Sequence, residues 1–495
     1  MKSKEDLFHL IKAMSKSEKR YFTLDAQKTG KKGSKYLDLF QLINAMSEYD
    51  ESKLKKKFPR NLPSDKAYLY EAILRSMRDY RSAKSKVAQI KEMILDSNYL
   101  YERGLYSQCE ERLKDAKDLA LQMDEQLELL EINKLERILV WNKKEAGFEN
   151  KLDLLDHEKQ SSIHAIDEEF NYLDIYDQLS KQVIKNPDLD DPALKEKFNQ
   201  DFAALADRQE QLPQTPQALR KYYQCLALFY QLQGNYDKVF EYYSLVVQWW
   251  DQNKKLKAEE FFRYVVDISN LLFICLRLKK YGDFPQLIEL IEKDTPSNQH
   301  DQKVVFKRLS LYKVVYYINS GETQGTKELI EEIEKGLQKY DIGIANELSL
   351  IGNVALLLFI RGDYQGAQEW SRKIVKGKES KFRSDIQIGM HLIFLIATFE
   401  LDVVDDIDHS LRLVKRNFNQ RYRSKIGPFE LLITNAIKKL NKSNLSDRKQ
   451  QFSSLKDAIL EIKENPNVKI SFGLDELFIH WIDSKLQKKS IIETY

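Results

Sequence analysis

Leu232-Gln-Gly-Asn-Tyr-Asp-Lys-Val-Phe-Glu-Tyr-Tyr243 is the stretch that decides the fold of this chain. Before its glycine, Tyr223, Leu226, Ala227 and Tyr230 recur at helical spacing; after it, Tyr236, Val239, Tyr243 and Val246 do the same. Each set lines one face of a helix, so two amphipathic helices meet at Gly234. A glycine at such a joint takes the left-handed backbone that ends the first helix. The tyrosine two residues later covers the turn and restarts the buried face.

The joint recurs. "RGLYSQC" at Arg103 to Cys109 and "RGDYQGA" at Arg361 to Ala367 repeat it closely, and "EAGFENK" at Glu145, "KKYGDF" at Lys279 and "SGETQGT" at Ser320 are weaker copies. The markers Gly104, Gly234, Lys279, Gly321 and Gly362 are separated by 130, 45, 42 and 41 residues, the first step being close to three times 43. Division of that step predicts further markers near Ala146 and near Pro187 to Leu189. A fixed period of this size is the mark of a helical repeat array. Met93, Ser97 and Leu100 with Tyr106, Cys109, Leu113 and Ala116 form a second copy of the two faces; Ile351, Val354, Ala355 and Leu358 with Tyr364, Ala367, Ser371 and Ile374 form a third. Small residues such as Ala227, Ala355, Cys109 and Ala367 let the two helices of a pair approach, while larger ones fill the space to the next pair. Lys279 lacks the glycine, so a different helix end is expected there.

The pattern Gly-x-Tyr-x-x-small resembles the tetratricopeptide repeat family over roughly residues 88 to 415. The family's usual period is about 34. The longer step implies longer helices or looser connections, and the proline that usually closes each repeat is missing from most copies. A HEAT-like array has a period nearer 43 but gives no reason for the recurring glycine and tyrosine. The whole-chain arrangement resembles bacterial tetratricopeptide-like proteins. The expected fold class is all-α: an α-solenoid of antiparallel helix pairs with a small N-terminal helical bundle. The expected domains are a basic bundle over 1–87, the repeat array over 88–420 and capping helices over 421–495.

The ends break the pattern. Ser15-x-x-Glu18 predicts a capping box, "KTGKKGSK" from Lys28 to Lys35 a basic loop, and "SKYLDLFQLINAM" an amphipathic helix. A short basic helix, a proline-marked loop and a long helix from near Ser64 follow, making three or four helices with a helix-turn-helix among the options. Beyond the array, Ile426 to Leu440, Asp447 to Lys463 and Leu474 to Leu486 read as helices that cover the open end of the last repeat. "KNPDLDDPALKEKF" at Lys185 to Phe198 is the clearest irregular connection.

Composition narrows the function classes. With 495 residues, 42% hydrophobic and 31% charged, the chain is in the globular range, and 10 prolines and 17 glycines are too few for a β-rich fold. Cys109, Cys225 and Cys275 are scattered on apolar helical patterns, as expected of buried thiols in a reducing compartment. No secretory signal or spanning apolar run is read, so a cytoplasmic protein without membrane contact is expected. The seven histidines form no HExxH or zinc-type cluster; His157 with His164, and Asp405, Asp406, Asp408 with His409, read as surface groups. There is no phosphate loop, dinucleotide fingerprint or nucleophile elbow. The expectation is no catalytic residue, no metal and no cofactor; an enzyme with a site in the solenoid groove is the weakest of three function classes.

Two features are expected to bind partners. The resemblance implies a concave wall built from the first helix of each pair, here Lys221, Gln224, Leu228 and Gln231, then Ser269, Phe273, Leu276 and Arg277, then Arg308, Leu311, Val315 and Asn319, then Gly352, Leu356 and Phe359. Its mixture of apolar, amide and basic groups suits a peptide or protein. Close winding would instead pack Phe273, Val315 and Leu356 inside. The second feature is basic. Residues 1–90 carry 21 Lys+Arg against 11 Asp+Glu, a net of +10 that exceeds the whole chain's +3. Lys53, Lys55, Lys56, Lys57 and Arg60, with Arg75, Arg78, Arg81, Lys84 and Lys86, would meet nucleic-acid phosphates or an acidic partner, or form a solvated surface. A non-catalytic protein-binding scaffold is the leading expectation, and a nucleic-acid-associated regulator the second.

Overall fold

The computed structural model describes residues 5–29, 35–82, 84–185, 191–207, 212–294, 296, 298–377, 382–401, 404–422, 425–465, 468, 470 and 473–494. Among them there are helices and connections but no β-strand. The expected Pro187 to Leu189 marker and most of the Lys28 to Lys35 loop lie outside the described residues. The chain divides into two compact units, Met1–Leu278 with Thr295–Gln302, and Lys279–Asp294 with Lys303–Tyr495.

The first unit opens with α1 (Asp6–Ala13), α2 (Lys16–Thr29), α3 (Lys35–Ala45), α4 (Glu51–Lys57) and α5 (Leu62–Ser82). The capping box is present: Ser15 N donates to Glu18 Oε2 at 2.7 Å and Glu18 N to Ser15 Oγ at 3.2 Å. These helices share an apolar core that includes Leu7, Ile11, Phe22, Leu39, Phe40, Ile43, Leu54, Leu69 and Ile73. They are followed by α6 (Lys86–Glu102), α7 (Tyr106–Met123), α8 (Gln126–Lys143), α9 (Phe148–Lys185), α10 (Pro192–Asp207), α11 (Pro216–Leu232), α12 (Tyr236–Gln252), α13 (Lys254–Glu259) and α14 (Phe261–Arg277).

Every marker among the described residues has positive φ: Gly104 73°, Gly147 80°, Gly234 75°, Lys279 56°, Gly321 70° and Gly362 75°. At the three Gly-x-Tyr joints the hydrogen bonds are the same. Gly104 N donates to Tyr101 O and Leu105 N to Leu100 O, Gly234 N to Gln231 O and Asn235 N to Tyr230 O, Gly362 N to Phe359 O and Asp363 N to Leu358 O. This is the Schellman closure, which satisfies two orphan carbonyls of the ending helix. The middle residue then stands at the N-cap of the next helix, where Asn235 accepts from Lys238 N and Asp363 from Gly366 N. The tyrosine is the first helical residue in all three copies: Tyr106, Tyr236 and Tyr364. Lys279 corrects one expectation, because it adopts the left-handed conformation itself.

The pairing rule fails after Gly147, and a short third helix, α13, enters between Gly234 and Lys279. Where two helices are expected after Gly147, α9 runs unbroken for 38 residues, about 57 Å at 1.5 Å per residue. Its first half packs against α8, with Asn133 Nδ2 donating to Leu155 O at 2.7 Å; its second half packs against α11, with the Cys225 thiol donating to Tyr172 O at 3.2 Å. No glycine or proline interrupts residues 148–185, so nothing in the segment can end a helix cheaply.

The second unit contains α15 (Phe284–Glu292), α16 (Gln299–Ser320, its first turn grouped with the first unit), α17 (Thr326–Lys339), α18 (Ile344–Ile360), α19 (Tyr364–Val375), α20 (Ser384–Glu400), α21 (Val404–Arg421), α22 (Pro428–Lys442), α23 (Leu445–Lys463) and α24 (Leu474–Gln487). The helices α18 and α20 are buried nearly all round. The last helix covers them: Phe478 meets Phe359 and Phe429, and Trp481 meets Phe399 and Phe452 while donating Nε1 to Glu400.

Candidate interaction surfaces

The face of α11 expected to meet a partner is occupied by the protein itself. Asp267 of α14, 2% exposed, accepts from Arg220 Nη1 at 3.0 Å, Gln224 Nε2 at 2.6 Å and Trp250 Nε1 at 2.9 Å. The Arg220 guanidinium also lies 4.7 Å from the Trp250 ring centroid. Lys221 donates to Gln224 Oε1 at 2.9 Å and sits 4.2 Å over the Tyr176 ring of α9, where burial pushes its ammonium below the usual lysine range. A buried carboxylate with three donors ties α11, α12 and α14 together. Gln224, Leu228 and Ser269 are buried in the first unit, and Lys221 is half-buried.

The remaining wall residues divide. Phe273 is 44% exposed, Arg277 is exposed with its guanidinium 4.3 Å over the Tyr236 ring, and Gln231 is half-buried. In the second unit Arg308 is half-buried and Asn319 exposed, its amide donating to Val315 O at 2.7 Å. Gly352, Leu356 and Phe359 are interior, as close packing of α18 requires.

Chain-distant elements converge at the corner between α7 and α8. Val87 N donates to Glu259 Oε1, Lys255 Nζ to Gln122 Oε1 and Gln217 N to Asp124 Oδ2, while Lys91 pairs with Glu128 at 3.1 Å. Burial, and then the charge of Glu128, push the Glu125 carboxyl up to about 7. Burial and Asp124 raise Glu169. Lys91 stands beside Glu125, and Arg263 and Lys221 beside Glu169, and among the described residues no three His, Cys, Asp or Glu side chains are arranged to hold a metal.

The basic surface stands clear of the bundle. In α4 Leu54 is buried, while Lys53, Lys55, Lys56 and Lys57 are exposed, as is Arg60 after it and Arg78 and Arg81 on α5. Lys55 lies 3.4 Å from Glu51 and Lys53 3.9 Å from Asp50, which caps the helix. With seven residues, α4 is two turns long and follows α3 after a five-residue connection.

Several cavities open among the described residues, and two of them lie between packed helices. One of about 200 Å³ between α7, α8 and α9 has Leu139, Phe148, Leu154 and Leu155 in its lining. Its rim charges are mutually paired, Lys117 with Glu136 and Glu158, Lys143 with Glu110 and Glu145. The other, about 890 Å³ between α22 and α23, has a mixed lining in which Asn435, Lys439, Gln450 and Gln451 stand beside Leu432 and Leu455. Neither brings a nucleophile and a base together.

Exposed large apolar side chains gather on α6 to α9, a feature the repeat pattern did not select. Leu95, Tyr99, Leu127, Trp141, Leu154 and Phe170 are each more than half exposed. Their signal in the sequence was an apolar residue on a helix face that the pairing pattern had already filled. No described helix is long and apolar enough to cross a membrane. The chain matches no known family model, no characterised protein and no solved structure.

Proposed function

We propose that this chain is a non-catalytic scaffold, a tetratricopeptide-like array that holds a protein partner on exposed helix faces. The observation that carries this reading is the apolar surface of α6 to α9. Trp141 is 54% exposed, Leu127 61% and Leu95 67%, whereas Gln224 of α11 and Asp267 of α14 are hydrogen-bonded to each other inside the first unit. Scattered exposed apolar residues are ordinary, but accumulation on consecutive helices marks surface that another protein covers. Phe273 and Arg277 add an exposed aromatic and a cation of the kind that anchors interfaces. Affinity purification of the full chain from its native host, under gentle crosslinking, is expected to return a protein in near-stoichiometric amount. Return of the chain alone would overturn the scaffold reading.

A second reading rests on a separate observation, the exposed cations Lys53, Lys55, Lys56, Lys57 and Arg60 within ten residues. They supply phosphate contacts without base reading. A short DNA or RNA duplex should then bind the full chain with an affinity that falls by orders of magnitude between about 50 and 200 mM salt. Absence of binding at the lower salt removes this reading and leaves the scaffold untouched.

A further inference from the structure

Helix α9 is apolar on two faces, and the protein fills one of them. Leu155, Ser162, Ala165, Tyr172 and Leu179 are buried, at steps of seven, three, seven and seven, which keeps them on one side of the helix. Rotated from that side by roughly 100–160° at 100° per residue runs a second row: Ile163 46% exposed, Ile166 half-buried, Phe170 54% exposed and Leu173 39% exposed, with Ile184 80% exposed further along. The spacing 3, 4, 3 is that of alternating a and d positions in a coiled-coil seam. A helix with one packed face normally turns polar residues to water, so this row is a seam that no helix among the described residues fully covers.

Charge selects the occupant. Residues 160–180 contain five acids, Asp167, Glu168, Glu169, Asp174 and Asp177, and no lysine or arginine. Asp167, Asp174 and Asp177 are exposed beside or within the row. Two copies of α9 facing each other would set these acids against one another, whereas lysines or arginines flanking an apolar seam would pair with them. We propose that Ile163, Ile166, Phe170 and Leu173 form a docking seam for an amphipathic helix of another protein, with leucine-like residues at its a and d positions and basic residues on both flanks. This deepens the scaffold reading and rests on it.

The test uses the full chain and three labelled designed peptides of about 21 residues, three heptads. The first has Leu at a and d with Lys at the flanks; the second keeps Leu but has Glu flanks; the third keeps Lys flanks but has Ser at a and d. Fluorescence anisotropy should show the first binding at least about tenfold more tightly than either other. The double substitution Phe170→Ser with Leu173→Ser should weaken it by about tenfold or more, since both apolar side chains leave water only in the complex. Leu431→Ser, at another exposed leucine on α22, should leave it unchanged. Both substituted positions lie at the surface, and an unaltered far-ultraviolet spectrum and melting curve verify folding. Equal binding of the first and third peptides, or indifference to the double substitution, overturns the proposal. So does sedimentation of the chain as a dimer that the double substitution dissociates, because the occupant is then a second copy. If the native partner is still captured by the doubly substituted chain, the scaffold stands and this seam alone falls.

Discussion

Gly362 and Gly336 put the same residue to two uses. Gly362 has φ of 75° and open space where a side chain would begin, so its requirement is purely one of backbone conformation. Gly336 sits inside α17 with an ordinary backbone, but a methyl group there would stand 1.9 Å from Cε2 of Phe306. Gly362→Ala is expected to cost about 1 kcal/mol, the penalty of a left-handed alanine. Gly336→Ala is expected to cost about 3 kcal/mol through displacement of the ring. Urea unfolding of both variants, followed by Trp fluorescence, checks the order; an equal or reversed order would show that Phe306 moves aside freely. The first use was legible in the sequence because it depends on three adjacent residues. The second was not, because Phe306 and Gly336 meet only after α16 and α17 pair.

Helix pairs show the same division between local and distant causes. The ends of α6, α11 and α18 were readable because a Schellman closure is local chemistry. The pairing of α20 with α21 rests on His391, fully buried, whose Nε2 accepts from Asn417 Nδ2 at 2.9 Å while Nδ1 donates to Gln387 O at 2.6 Å. Burial lowers this imidazole to about 4. Protonation would put a second donor against the Asn417 amide. Because the folded value lies below the ordinary 6.5, the unfolded chain binds the extra proton first. Stability from this group is therefore complete above about pH 6.5 and lost as pH falls toward 4, up to about 3 kcal/mol. Urea unfolding at several pH values should show that loss in the wild-type chain and a shallower one in His391→Gln. Parallel slopes in the two would show that His391 is not the group responsible. Of the seven histidines, His391 has no distinguishing neighbour in the sequence, since nothing near it in the chain announces that Asn417 will face it.

At the scale of the whole molecule the chain has two compact units, dividing after Leu278 inside the stretch that reads as one array. All three cysteines belong to the first and are buried; burial pushes the Cys225 thiol up to about 12 and raises that of Cys109. Ellman's reagent should find no reactive thiol in the native chain at pH 8 and three after denaturation. Fast labelling of the native protein would show that the first unit opens. The sequence by itself determined the helical class, the helix ends at Gly104, Gly234 and Gly362, and the basic surface of α4, because periodicity, turn chemistry and charge act within a few residues. Tertiary structure alone decided that Gln224 turns inward to Asp267 and Lys221 lies over Tyr176, that α9 runs through an expected turn, and that its second apolar row stays exposed. Those outcomes depend on which helix lies against which face, and residues dozens of positions apart acquire that relation only on packing.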